Sequence, residues 1–193
     1  MDRAHLTENL EGPRIVLTRV ATMLSSETRG VIDAERARFL AYFPALNPAL
    51  STMELTRDFA REVEELWSRF EEYAYEIRER TSGRFIGHAS VHALAFKHEC
   101  CELAYWVRSE AEGQGYISEA VTTLERYLFG RGFHRVEIRC DVLNLASQKV
   151  ATRCGYTLDG RLREHMKRRD GSYRDSFVFG KLAHEASAAP KTT

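Results

Sequence analysis

The chain carries no surplus charge: 28 lysines and arginines balance 28 aspartates and glutamates over 193 residues. Without a global field of either sign, neither nucleic acid nor an anionic membrane would be drawn to it, and any charged partner must be read by a local patch. Long apolar runs are missing too. None approaches the roughly 20 residues that span a bilayer, and the opening MDRAHLTENLEGPR lacks the apolar segment of a secretory leader. A cytoplasmic protein is expected. Cysteine is scarce: Cys100, Cys101, Cys140 and Cys154 form neither a CxxC pair nor a zinc-ligand spacing, and a chain of this length needs no disulfide framework. Free buried thiols and no metal are expected, with Cys100 and Cys101 sent to opposite faces of a strand. There is no internal repeat, no GxxxxGKS or GxxxxGKT phosphate loop, and no GxGxxG in an opening strand–helix unit.

What is present is enough apolar residue, 44%, to build one sizeable core. After Gly12-Pro13, the alternation of RIVLTRV (14–20) predicts a first strand. Residues 28–43 read as helix. Ser51 and Glu54 form a capping box before Leu55, Phe59, Val63, Leu66, Trp67 and Phe70, which recur at helical spacing. From Tyr73 the period falls to two in YAYEIRE, RFIGHASVHAL and ECCELAYWV, predicting an antiparallel meander. Ile117, Ala120, Val121, Leu124 and Leu128 make a second helical face that ends at Gly130 and Gly132. HRVEIRCDV (134–142) alternates again, Asn144 begins a short helix running to Cys154, and two strands near 156–168 and 173–182 meet at the hairpin signal Asp170-Gly171. The expected order is β-α-α-β-β-β-α-β-α-β-β: an α/β (α+β) chain with one mixed, mostly antiparallel seven-stranded sheet and about four helices. Residues 1–13 are read as an extension, 14–183 as the domain and 184–193 as a disordered tail.

One stretch carries chemistry. EAEGQGYISEA (110–120) leads from a strand through two glycines into a helix N-terminus, where unpaired amides and the positive end of the helix dipole converge. Alone, that is a weak phosphate signal.

Three linked runs make it specific. ELAYWVRSEAEGQGYISEA, DVLNLASQKVATRCGYTLDGRLRE and the closing DGSYRDSFVFGKL resemble, in order, segments of the GCN5-related N-acetyltransferase (GNAT) family, and within it the RimL/RimJ-type ribosomal-protein N-terminal acetyltransferases. The resemblance covers residues 14–182 and implies the GNAT fold and acetyl-CoA as co-substrate. The loop departs from the family pattern in carrying Glu110 and Glu112 where glutamine or a basic residue is more usual; carboxylates beside a diphosphate are unfavourable unless they point to solvent.

The resemblance implies that the strands at 102–108 and 134–142 splay to admit the pantetheine arm. The amides of Glu112, Gly113, Gln114, Gly115 and Tyr116, with Ile117 following, would hold the diphosphate. An N–H near Trp106 or Val107 would polarise the thioester carbonyl, and Asn144 would reach the pantetheine arm or simply cap its helix. Glu102 is the candidate base, Ser147 the candidate acid and Tyr156 a second acid. His88 and His92 share a strand face and read as structural, with His88 kept as a substrate candidate. In RLREHMKRRD, regular alternation would put Arg161, Arg163, His165, Lys167 and Arg169 on one face, either toward an acidic substrate or as edge-strand charge. Phe39, Tyr42 and Phe43 would wall the acceptor cleft or fill the core. The acceptor expected is the N-terminal amine of a protein or peptide; a small-molecule amine and a non-catalytic acyl-CoA sensor are the alternatives. A homodimer is possible by analogy with relatives.

Overall fold

In the computed structural model, which describes residues 5–43 and 46–186, the alternation of Ile15–Arg19 becomes a strand, β2. A shorter strand, β1 (Asn9–Glu11), folds back against it with Leu10 opposite Leu17. The sheet therefore has eight strands rather than seven, and residues 9–11 belong to it instead of to an extension. Three residues with a single apolar side chain have no period to read. The stretch read as one helix is two, α1 (Ser26–Ala34) and α2 (Arg36–Tyr42), broken at Glu35 with φ −110°. The capping box starts α3 (Thr52–Ser68): Ser51 Oγ accepts from Glu54 N, and the Glu54 carboxylate accepts from Ser51 N at 2.8 Å.

The meander follows as β3 (Tyr73–Glu79), β4 (Phe85–Ala95) and β5 (Cys100–Val107). Helix α4 (Tyr116–Gly130) crosses to β6 (Arg135–Asp141), parallel to β5. Then come α5 (Leu145–Arg153), β7 (Thr157–Lys167), β8 (Tyr173–Leu182) and one turn of helix, α6 (Ala183–Ala186). Spatial order is β1-β2-β3-β4-β5-β6-β8-β7, so the final hairpin inserts its second strand beside β6. The described residues hold six helices rather than about four. The start of the expected tail is helical, Glu185 accepting from Leu182 N at 2.7 Å, and residues 187–193 lie outside the described residues.

The sheet separates two apolar layers. Ala120, Val121, Leu124 and Leu128 of α4 pack on Leu17, Tyr75, Leu103, Val136 and Ile138. Leu55, Phe59 and Val63 of α3 pack with Phe39, Phe85 and Trp106 on the other side. Cys101, Cys140 and Cys154 are buried and all four thiols are free; among the described residues no side-chain cluster suits a metal.

Regular alternation fails in β7. Its pairing with β8 slips between Leu162 and Met166, and Glu164 lies at φ 49°. Arg161 consequently pairs with Asp175 (2.7 Å), whereas His165 Nδ1 sits 3.1 Å from Ser176 Oγ. Asp175 and Ser176 are neighbours in β8 and point to opposite faces, so the basic stripe expected along 161–169 is divided between the two.

Two positions near the centre of the sheet generate predictions. A Cβ at Gly87 would meet Trp106 O at 2.3 Å and Val107 Cα at 2.9 Å. Gly87→Ala is expected to cost about 1–3 kcal/mol in urea unfolding by forcing β5 outward; an unchanged midpoint would contradict that close approach. Beside it, His88 is buried between the rings of Phe43 and Phe59, and burial lowers its pKa from 6.5 to about 3. The unfolded chain takes up a proton below pH 6.5 that the folded chain refuses until about pH 3, so stability present above that window is lost on descending through it. The slope is up to about 1.4 kcal/mol per pH unit. His88→Phe, which keeps a ring in the cage, is expected to flatten that acid limb; the readout is unfolding free energy against pH, and an unaltered limb would assign the slope elsewhere.

Candidate active site

β5 and β6 pair only from Cys100↔Arg135 to Leu103↔Ile138. Beyond that point β5 stays with β4 and β6 with β8, so the two strands part. Arg108 N–H donates to Ile86 O on the β4 side; alternation then turns the amides of Val107 and Tyr105 into the gap. The Val107 carbonyl follows the same rule, since Arg38 Nη2 reaches it from outside the sheet at 3.5 Å. A cleft of about 760 Å³ fills the gap, lined by both parted edges, the start of α4 and the start of α5.

The glycine loop forms one end. Gly113 (φ 71°) and Gly115 (φ 81°) both adopt left-handed backbone, which strains any residue with a Cβ. Gly115 caps α4 without a side chain, and the first-turn amides of Tyr116, Ile117 and Ser118 have no acceptor within the helix. Of the six residues from Gly113 to Ser118 all except Gln114 line the cleft; Gln114 turns back, its Nε2 donating to Glu110 O at 2.8 Å. Arg14 braces the loop from behind, bonding Glu119 (2.7 Å) and Gln114 O (3.2 Å) and lying over the Tyr116 ring. Tyr116 OH donates to Glu79 at 2.5 Å.

The two loop carboxylates each have a guanidinium. Arg108 holds Glu110 at 2.7 Å, and Arg38 of α2 bonds Glu112 while also holding Glu35. Both glutamates are mostly exposed, so neither is driven toward the amides of the cradle.

α5 forms the other end. Asn144 Oδ1 accepts from Ser147 N at 3.1 Å, and both residues line the cleft. Ser147 Oγ lies 2.9 Å from Tyr105 OH, a hydroxyl pair that crosses the parted strands from β5 to α5. Burial holds the Tyr105 phenol above its ordinary pKa, against a smaller opposing effect of the Ser147 bond, so it stays protonated. Sequence reasoning passed over Tyr105 because, alternating with Leu103 and Val107, it reads as core.

The remaining candidates divide. Trp106, Val107, Tyr42 and Glu112 line the cleft; Tyr42 stacks on Trp106 with ring centroids 6.4 Å apart. Phe39 and His88 are core residues, packed with Phe43 and Phe59, and do not line it. Glu102 stays within the paired half of the β5–β6 ladder, 3.5 Å from His92 Nε2 and 3.2 Å from Arg139 Nε. Burial opposes a charged His92 ring, but the bond to Glu102 together with the negative charges of Glu102 and Glu72 outweighs it and raises its pKa. Tyr156 is buried behind α4 beside the Glu125–Lys181 pair (2.6 Å), and burial, reinforced by Glu125, pushes its hydroxyl far above the usual range. Arg163 and His165 lie on exposed β7, outside the cleft lining. Sequence reasoning missed Arg38, Arg139, Asp141, Arg168 and Arg174, all of which line it. Asp141, Arg168 and Arg174 sit at strand ends and in a turn, where periodicity carries no signal; Arg139 lies inside β6, whose alternation shows its face but not its role.

Comparison with known proteins agrees with this arrangement. Residues 26–157 match the family model described as an acetyltransferase (GNAT) domain. The ribosomal-protein-serine acetyltransferase of Escherichia coli (strain K12) is 34% identical over 80 residues, 41% of this chain and 45% of that protein. The chain spans about half the length of the curated relatives it matches. Among solved structures, the microcin C7 self-immunity acetyltransferase MccE in complex with acetyl-CoA and AMP superposes with TM-score 0.76 at 21% identity, over 88% of this chain and 93% of that one. RimL, the ribosomal L7/L12 α-N-protein acetyltransferase in its apo form, gives 0.75 at 22%, over 93% and 96%. At such identities these two speak for the fold; the family model, matching more than half of the sequence across the parted strands and the glycine loop, shows that the chain belongs to the GNAT acetyltransferase family.

Proposed function

We propose that the chain is an N-acetyltransferase that moves the acetyl group of acetyl-CoA onto the N-terminal α-amino group of a protein or peptide. The observation that carries this reading is the gap between β5 and β6, with free first-turn amides at one end and a half-buried hydroxyl pair at the other. The residues present fit acetyl-CoA. Gly113 has open space where a Cβ would stand, so a phosphate can approach the backbone there. Lys149 and Arg153 on α5 add positive charge along the lining. A family member solved with acetyl-CoA and a relative named for ribosomal-protein serine support both halves of the proposal.

When bound, acetyl-CoA supplies an activated thioester; the chain's own groups do the rest. The amides of Val107 and Tyr105 both turn into the gap about 7 Å apart, so one donates to a carbonyl lodged there and the other to a second acceptor along the bound arm. The Asn144 cap uses Oδ1 and leaves Nδ2 as a donor for the pantetheine arm. Tyr105 orients Ser147, whose Oγ relays a proton to the departing thiolate, giving up its own as it takes one from water in the cleft, so that it ends as a neutral hydroxyl. The two carboxylates lining the cleft are engaged, Glu112 by Arg38 and Asp141 by Arg168. Such a site suits an acceptor that arrives partly neutral. An α-amine of pKa near 8 costs roughly 3 kcal/mol less to deprotonate at pH 7 than a lysine near 10.4. Glu102, outside the lining, takes the proton through water.

An acceptor screen with thiol release as readout tests the reading: N-terminal peptides are expected to turn over, and turnover of polyamines or aminoglycosides alone would redirect it to small amines. Gly113→Val, strained at φ 71°, is expected to weaken coenzyme A binding by about tenfold or more in calorimetry; unchanged affinity would remove the loop from the site. Ser147→Ala is expected to lower kcat by about 10²-fold, the low end for a positioned acid because a thiolate leaves with little help, with coenzyme A affinity retained; full activity would remove Ser147 from the proton path.

A further inference from the structure

The cleft opens on both faces of the sheet, and the two openings differ in chemistry. On β6, Ile138 and Cys140 are buried with α4, so Arg139 and Asp141, which alternate with them, point to the opposite face. β8 brings Arg174 there, two residues before Ser176, the register partner of Asp141. The β7–β8 turn brings Arg168. The turn is fixed in place by Arg169, which donates to Leu40 O (3.3 Å) and Leu46 O (3.0 Å) beyond α2.

Charge is divided unevenly at this opening. Arg139 is engaged by Glu137 at 2.8 Å and Glu102 at 3.2 Å. Asp141 alone faces two guanidinium groups, Arg168 at 2.9 Å and Arg174 at 3.7 Å, and its other oxygen already accepts from Leu143 N at 2.8 Å. Within the Asp141–Arg168–Arg174 set one positive charge is left over, while Arg139 lies between two carboxylates. Arg168 and Arg174 are 40% and 34% exposed, open to a ligand rather than sealed into the core.

From this we infer that Arg168 and Arg174 select an acceptor whose reactive amine stands close to a carboxylate: a peptide N-terminus followed at once by aspartate or glutamate. The inference rests on the acetyl-transfer reading for what happens to the amine, but its recognition element is separate. A guanidinium pairs with a carboxylate through charge-assisted, fork-shaped hydrogen bonds. The same surplus charge disfavours a polyamine or a lysine-rich segment. It also lowers the pKa of an ammonium brought beside it, which supplies neutral amine where no free carboxylate lines the cleft.

The test uses three peptides that begin Ser-Asp-Glu, Ser-Asn-Gln and Ser-Lys-Lys, amidated at the C-terminus so that the only carboxylates are side chains. Their N-acetylated forms, which cannot react, are titrated calorimetrically into the coenzyme A-saturated protein. The acidic form is expected to bind about tenfold tighter than the neutral one, and the basic form more weakly than either. Arg168→Gln with Arg174→Gln should bring the acidic and neutral forms within about twofold, and Arg174→Lys should keep only part of the preference, because charge is retained but the fork-shaped contact is lost. Equal binding of acidic and neutral forms, or a preference that survives the double substitution in a folded protein, would overturn the inference. Acidic peptides that bind selectively but are never acetylated would remove the transfer reading and leave this one standing. Equal binding and equal kcat/KM across all three would do the reverse.

Discussion

A β-sheet that stops pairing in its middle is an unusual thing to keep, because each buried N–H and C=O on the parted edges needs a partner. Here β5 and β6 share only four residue pairs before separating, and everything around the gap answers to that separation. Each strand is held from its far side, β5 by β4 and β6 by β8. Gly87 lets β4 press against Trp106 and Val107 so closely that no side chain fits between them. Arg38 takes up the Val107 carbonyl from α2, and Tyr105 spans to Ser147 on α5. The backbone that remains unpaired is what makes the gap a binding site.

Charge is arranged by the same geometry. A chain with no net charge can still present strongly biased local patches, and the glycine loop is the clearest case. Its glutamates would repel a diphosphate if left alone. Arg108 and Arg38 pair with them in place, Arg38 reaching Glu112 from a helix 74 residues away in sequence while it also holds Glu35. At the other opening the balance tips the opposite way, with one aspartate between two arginines. The two ends of one cleft thus carry different instructions for two different ligands.

Much of this was legible in the sequence, and what was not has a common cause. The capping box at Ser51, the period-two meander, the Gly113–Gly115 turn and the Asn144 cap are local patterns set by neighbouring residues, and they were readable. β1 is too short to show a period, and β7 loses its alternation at Glu164, whose positive φ no turn residue announces. Phe39 and His88 read first as core or structural residues and second as cleft candidates, and their packing against Phe43 and Phe59 puts both in the core. Arg168 and Arg174 act through Asp141, and Arg38 reaches Glu112 as well as its neighbour Glu35; the distant partners lie in no single window of sequence.

The polar face of β4, β5 and β6 explains why Glu102 is where it is. His92, Glu102, Arg139 and Glu137 form a continuous row of ion pairs across three strands, just below the point where β5 and β6 part. Such a row does for the side chains what the ladder does for the backbone: it ties β5 to β6 at the last place where they still run together. Arg139 binds Glu102 on one strand and Glu137 on its own, so it is pulled down toward the ladder and away from the opening. That leaves the opening to Arg168 and Arg174, whose single shared carboxylate cannot satisfy both. The network that closes the sheet below the gap is therefore also what keeps the positive charge above it uncompensated.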